Sequence, residues 1–297
     1  MSSMIAEGAD VNSSDSRLQT PLHAASMRGH LPVLNALIAA RAVVDGSCAE
    51  GKTALMCAAM EGHAAIVDTL HRVAGASVHH VDKFGWTAFH FAAMNGHVGV
   101  VRILFKAGAN PNLATTDSHG NTPLTTASGG NATDKGHPAV VQALIEGGAN
   151  VNLPRPNGAT SLTLASQSGN IEVVRILLAA GANVNHVNQY GASALILAAE
   201  CGHVEVVRAL CAAGANVNHI SRHGATALIM ATQLRRVEVV RALLEANADP
   251  RITNPVNGAA PLGNARHFGP PAMVALLEAR LAELYERTRV VPLREGA

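Results

Sequence analysis

The same short phrase returns eight times along 297 residues: TPLHAA from Thr20, TALMCAA from Thr53, TAFHFAA from Thr87, TPLTTAS from Thr122, TSLTLAS from Thr160, SALILAA from Ser193, TALIMAT from Thr226 and APLGNAR from Ala260. Successive starts lie 33, 34, 35, 38, 33, 33 and 34 residues apart. Self-similarity at such a period predicts a solenoid, in which each unit buries its apolar side against its neighbours. One elongated domain is therefore expected. Stacked units present a long continuous surface and require no catalytic pocket.

The unit from Asn188 to His219 shows how a repeat is built. Ser193 stands where a helix N-cap is wanted, and Ala194 to Ala199 supply a short helix of small residues that lets another helix come close. Gly202 ends that helix, because glycine accepts the left-handed conformation of a C-cap. His203 leads into a second helix, Val204 to Ala212, with apolar residues at helical spacing, and Gly214 ends it. Asn and Gly then mark a hairpin-like connection to the next unit.

The complete T-P-L-H-x-A phrase in TPLHAA at Thr20, with Pro21 at the first helical position, resembles the ankyrin-repeat family. So do second halves such as GHLPVLNALI, GHVGVVRILF and GHVEVVRALC, and the GANVN endings at Gly148, Gly181 and Gly214. The resemblance covers nearly the whole chain and implies an all-α solenoid of helix-turn-helix units with hairpins on one side, used mainly to bind proteins. The expected layout is a single domain over 1–290, with a partial repeat at 1–12 and repeats beginning near 15, 48, 82, 117, 155, 188, 221 and 255. A solvated capping helix is expected at about 271–288, bearing Glu278, Arg280, Glu283 and Glu286, with a disordered tail at 289–297. The incomplete opening repeat suggests a fragment of a longer protein or a face covered by a partner. A monomer is expected, with self-association through that face as the alternative.

Two units depart from the pattern. The fourth inserts residues within SGGNATDK between Ala127 and Gly136, a surface loop in this reading. The seventh replaces the Gly-His turn with Arg235-Arg236, which costs about 1 kcal/mol at the cap or serves an anionic contact.

Net charge is +1 and no long basic run occurs, which argues against nucleic acid as a partner. No apolar run approaches bilayer thickness, so membrane insertion is not expected. The start MSSMIAEGADVN carries no signal-peptide pattern, and the default expectation is a cytoplasmic protein. Cys48, Cys57, Cys201 and Cys211 lack CxxC spacing and read as buried fillers. The HExxH, GxSxG and GxxxxGK[ST] patterns are missing, so neither an enzyme nor a cofactor is expected. Histidines recurring at equivalent positions, His23 and His90 in one set and His30, His63, His97, His137 and His203 in another, read as structural hydrogen-bonders. The hairpin histidines His79, His80, His186, His219 and His223 lack recognised metal-ligand spacing. Glu172, Glu205 and Glu238 precede Arg175, Arg208 and Arg241 by three residues and read as helix-surface pairs.

Positions that vary between repeats are free to recognise a partner. By resemblance these lie on the hairpin tips and on the inner helix before the turn glycine. The expected contacts are Met60, Glu61, Phe84, Trp86, Met94, Asn95, His119, Asn121, Gln189, Tyr190, Glu200, Arg222 and His223, with exposed Phe84 and Trp86 as apolar anchors. The expected occupant is a protein or an extended peptide held along a concave face. One rival reading makes the chain the recognition segment of a larger enzyme. Another makes it a substrate for asparaginyl hydroxylation, as the resemblance implies for Asn152, Asn185 and Asn218.

Overall fold

A computed structural model describes residues 9–129 and 136–289. The expected incomplete repeat before residue 9, most of the fourth-unit insertion and the tail from 290 lie outside the described residues. Arg289, assigned to the tail above, is the last residue of the final helix. The chain divides between Pro156 and Asn157 into two compact units.

In the first unit, short inner helices α1 (Pro21–Met27), α3 (Ala54–Glu61), α5 (Ala88–Met94) and α7 (Pro123–Ala127) pack one on the next. A second layer is formed by α2 (Leu31–Ala39), α4 (Ala64–Arg72), α6 (Val98–Lys106) and α8 (Pro138–Glu146). The second unit repeats the plan. Its inner helices are α9 (Ser161–Ser168), α11 (Ala194–Cys201), α13 (Ala227–Gln233) and α15 (Pro261–Phe268). Its outer helices are α10 (Ile171–Ala179), α12 (Val204–Ala212), α14 (Val237–Glu245) and α16 (Pro271–Arg289). No strand occurs among the described residues; Val187 and Ser193 form an isolated antiparallel bridge.

Local chemistry explains both layers. Thr53, Thr87, Thr122, Thr160, Ser193 and Thr226 are the N-caps of six of the inner helices, and each hydroxyl accepts the backbone N–H three residues on. Alanines on these helices, such as Ala58, Ala59, Ala92, Ala93, Ala198 and Ala199, are fully buried, so neighbouring inner helices come close. The outer helices between the first and last bury an apolar set at i, i+1 and i+4, such as Ile66, Val67 and Leu70; Val100, Val101 and Leu104; Val206, Val207 and Leu210, while α2 buries Leu34 and Leu37 and α16 buries Met273 and Leu277. Every such leucine contributes roughly 1.5–3 kcal/mol of burial.

The Gly-His turn joins one repeat to the next. Gly62 caps α3 at φ 78°, and a Cβ there would stand 2.5 Å from Nδ1 of His97. The His97 ring occupies that space and its Nε2 donates to the Met60 carbonyl at 3.0 Å. His63 to Met27, His137 to Met94 and His203 to Gln167 repeat the contact. In the seventh repeat Arg235 stands at the glycine position with φ 62°. A side chain in that conformation is strained by about 1 kcal/mol or more. Arg235→Gly is therefore expected to stabilise the protein by about 0.5–1 kcal/mol net of the added chain entropy, read as a rise of about 2 °C in the thermal midpoint.

Candidate functional site

Asp82 builds the hairpin that carries Phe84 and Trp86. Its Oδ1 accepts from the N–H groups of Phe84 at 2.9 Å and Trp86 at 2.8 Å, and its N–H donates to the Trp86 carbonyl at 2.9 Å. Neighbouring tips are tied to this one: Lys83 N–H donates to Glu50 O at 3.2 Å, and Thr116 N–H donates to Phe84 O at 2.9 Å. The apex is held by backbone bonds on both sides, leaving Phe84 58% exposed.

Trp86 behaves differently from the expectation of an exposed anchor. It is half-buried, because a residue two positions past the apex falls back over the inner helix. Its ring centroid lies 5.6 Å from that of His90 and 5.3 Å from that of Phe91, and its indole N–H donates to Asp117 Oδ2 at 3.4 Å. Asn121 is likewise corrected. At 1% exposure it is buried, its carbonyl accepts from His90 and its side-chain oxygen accepts from Arg155. His119 is exposed on the adjoining hairpin, where Asp117 accepts its N–H at 3.0 Å. Met60 and Met94 are half-buried along the inner helices, while Glu61 and Asn95 are exposed. Lys52 pairs with Glu50 at 2.7 Å and lies 5.3 Å over the Phe91 ring.

The second unit uses the same device. Asn188 Oδ1 accepts from the N–H groups of Tyr190 and Ala192, Gln189 N–H donates to Asn157 O, and Arg222 N–H donates to Tyr190 O at 3.0 Å. Tyr190 is 53% exposed and stacks on His223 with centroids 6.1 Å apart. Gln189, Glu200, Arg222 and His223 are exposed. Each unit thus carries a group of its own.

A family model described as ankyrin repeats (3 copies) matches residues 1–79, 62–134, 131–188 and 180–254. The chain belongs to the ankyrin-repeat family. Comparison with curated proteins gives no match.

Within this ankyrin array the rings of His23, His63, His90, His97, His137 and His203 make structural hydrogen bonds, as expected, whereas His30 of the same recurrent set is exposed. His90 accepts the Thr87 N–H at Nδ1 (3.1 Å) and donates from Nε2 to Asn121 O (3.0 Å). Burial without a facing carboxylate in hydrogen-bond reach pushes it down to about 4. His23 makes the same contacts with Thr20 and Lys52, and burial lowers it too. His186 and His219 donate to the carbonyls of Gly158 and Gly191, both at 2.8 Å. Among the described residues no group of three or more His, Cys, Asp or Glu side chains is placed to hold a metal. No described helix is long and apolar enough to cross a membrane.

The ending asparagines of the ankyrin hairpins stitch repeats together. Asn185 Oδ1 accepts the Asn216 N–H at 2.7 Å and its amide donates to Gly214 O, while Asn218 Oδ1 accepts the Asp249 N–H at 2.8 Å. Of the cysteines, Cys48 and Cys57 are buried as expected, but Cys201 and Cys211 are half-buried at the ends of short helices. Burial pushes the Cys57 thiol up to about 12 and Cys211 to about 11, so neither forms a thiolate readily. Of the three acid–arginine pairs read from spacing, Glu238–Arg241 forms at 3.3 Å, while Arg208 reaches instead to Glu245 at 3.0 Å.

Sequence reasoning missed one cluster. Arg155 is buried and donates to Asn121, and the Asp117 carboxylate lies close enough to favour its charge. The available signal was alignment: Arg155 holds the hairpin position given to Asp82, Asn188, Ser221 and Asn254 in other repeats, all short polar turn-formers.

Proposed function

We propose that this chain is a non-catalytic scaffold, with each unit offering hairpin tips and inner-helix ends to a protein partner. Ankyrin repeats are in general protein-interaction modules. The observation that carries the reading is the pair of exposed aromatic apices, Phe84 and Tyr190, each on a backbone locked to both neighbouring hairpins. A large side chain presented from a rigid turn loses little entropy on binding, which is what an interface anchor requires. Met60, Glu61, Met94, Asn95 and His119 extend the first group; Gln189, Glu200, Arg222 and His223 extend the second. Trp86 supports the first from behind. Free cysteines suit a reducing compartment such as the cytoplasm.

Phe84→Ala and Tyr190→Ala, made singly and together, test this. Both side chains are more than half exposed, so each variant is expected to keep its stability within about 0.5 kcal/mol. Capture from cell lysate on immobilised protein is expected to lose a bound protein by about tenfold or more with the matching variant, roughly the 1–2 kcal/mol of an aromatic anchor. Capture unchanged by both substitutions would remove the tips from the interface.

A further inference from the structure

We infer that the inner turn of the second unit, built by Leu234, Arg235, Arg236 and Phe268, is a docking site for an acidic protein segment carrying one large apolar residue. The inference rests on the protein-binding reading above and names a partner chemistry for a part of the surface away from the hairpin tips.

The Arg235-Arg236 pair replaces Gly-His, and the replacement is not equivalent. Where histidine stands, as at His203, the imidazole spends its Nε2 hydrogen on the carbonyl of the preceding inner helix. Arg236 takes over that bond with its Nε, which donates to Glu200 O at 3.4 Å, and its Cδ and Nε lie over Gly202 as the histidine rings lie over their glycines. The two terminal amino groups of the guanidinium are left over as a fork of donors in an exposed side chain. Arg235 beside it is also exposed and holds φ 62°, a conformation glycine would adopt without strain. The chain thus spends conformational energy to place a second guanidinium next to the first. Strain retained in this way is an argument for a role.

Neither charge is neutralised by a described residue. Arg208, Arg241, Arg251, Arg266 and Arg280 of this unit are each paired with a carboxylate at 2.8–3.3 Å. Among the described residues no carboxylate lies within ion-pairing distance of Arg235 or Arg236; Glu200, the acid on the preceding inner helix, meets Arg236 through its backbone carbonyl. Two adjacent, exposed guanidiniums are complementary to carboxylates, which they bind by charge-assisted, often bidentate hydrogen bonds.

The apolar half of the site comes from register. Leu234 and Phe268 each stand eight residues after the N-cap of their inner helix, Thr226 and Ala260, and α13 packs directly on α15. They are 40% and 51% exposed, with His267 stacked edge-on against Phe268 at 4.5 Å. Apolar side chains flanked by unpaired arginines fit an acidic segment with an aromatic or aliphatic anchor. A uniformly charged chain would leave the apolar pair uncovered.

Short random peptides displayed on phage and selected on the whole chain test the assignment. Selection is expected to enrich Asp and Glu around one large apolar residue. The most enriched peptide, labelled and followed by fluorescence anisotropy, is expected to lose affinity by about tenfold or more on Arg235→Gly/Arg236→His. That variant restores the Gly-His pair of the other turns and so retains the fold. Arg175→Ala, which removes an exposed arginine from the outer layer, is expected to leave binding unchanged. Acidic peptides that bind the double variant as well as the wild type, or a selection without acidic bias, would overturn this inference and leave the hairpin reading standing. So would binding to phosphatidylserine vesicles without binding to any free peptide. A selection that returns no binder at all, with lysate capture equally empty, would overturn both.

Discussion

Acidifying the protein from above pH 6.5 towards pH 4 is expected to remove roughly 3 kcal/mol of stability from the first unit, and His90 is the main cause. The ring is fully buried, and its two nitrogens have opposite duties. Nδ1 accepts the N–H of Thr87, while Nε2 donates to the carbonyl of Asn121. Only the neutral tautomer with hydrogen on Nε2 satisfies both. A proton added at Nδ1 would face the Thr87 N–H and place an unpaired charge in the core. Burial therefore holds the folded group at about 4, below its ordinary 6.5. Because the folded value is depressed, the contribution is complete above pH 6.5 and is lost as pH falls from 6.5 through 4. His23, lowered for the same reason, adds a smaller loss in the same direction.

Trp86 makes this measurable, since it is the one tryptophan in the chain and its ring centroid lies 5.6 Å from that of His90. Urea unfolding followed by its fluorescence at a series of pH values is expected to show the midpoint falling through that window. His90→Thr supplies the comparison, because threonine does the same job elsewhere: the hydroxyls of Thr125 and Thr163 accept the N–H of Thr122 and Thr160, both at 2.8 Å. That variant is expected to lose about 2–3 kcal/mol at neutral pH through the cavity and the unpaired Asn121 carbonyl. Its stability is also expected to depend far less on pH. A wild-type stability flat between pH 6.5 and 4 would show that the fold accommodates the imidazolium, contrary to the argument.

What the sequence revealed and what it hid follow from how local each feature is. The caps at Thr53, Thr87 and Ser193 depend on bonds to residues three positions away, and the αL turn at Gly202 depends on one residue's conformation. Such features are written in a short window. The partner-facing residues were harder because exposure is decided between repeats. Phe84 and Trp86 are two positions apart on one hairpin, yet the first is exposed while the second lies against Phe91 and reaches Asp117, 31 residues on. Asn121 reads as a tip residue because the hairpin in which it lies is polar. It is buried because Arg155 of the following repeat closes over it. Pairs at i,i+3 were also overread: Arg208 has Glu205 within the same helix but takes Glu245 on the next outer helix, a choice no single helix encodes.

Asp117→Ala is expected to cost the first unit about 3–4 kcal/mol, among the largest losses available from one hairpin substitution. Its carboxylate is a hub. Oδ1 accepts the Thr115 hydroxyl at 2.8 Å and the N–H groups of His119 and Gly120, both at 3.0 Å, while Oδ2 accepts the Trp86 indole. Burial raises its carboxyl, but the bonds from Thr115, Gly120, His119 and Trp86 outweigh that and hold it below the usual carboxylate range. It is also the negative charge that favours the buried Arg155 guanidinium. Asp117→Asn separates these duties. An amide oxygen still accepts from the hairpin N–H groups, so the turn survives, but the charge opposite Arg155 is gone and the amide nitrogen can no longer accept from Trp86. The asparagine variant is expected to lose about half as much as alanine, with the emission of Trp86 shifted in both. The two carboxylate-dependent contributions also separate by pH from that of His90. A group held below its ordinary 3.8 gives stability that is complete above that value and disappears as pH falls further, beneath the window in which His90 titrates. Equal losses for the two variants would place the whole effect in the charge opposite Arg155 and the bond from Trp86, and none in the turn, whereas a loss below about 1 kcal/mol for alanine would show that the hairpin does not hang on this carboxylate.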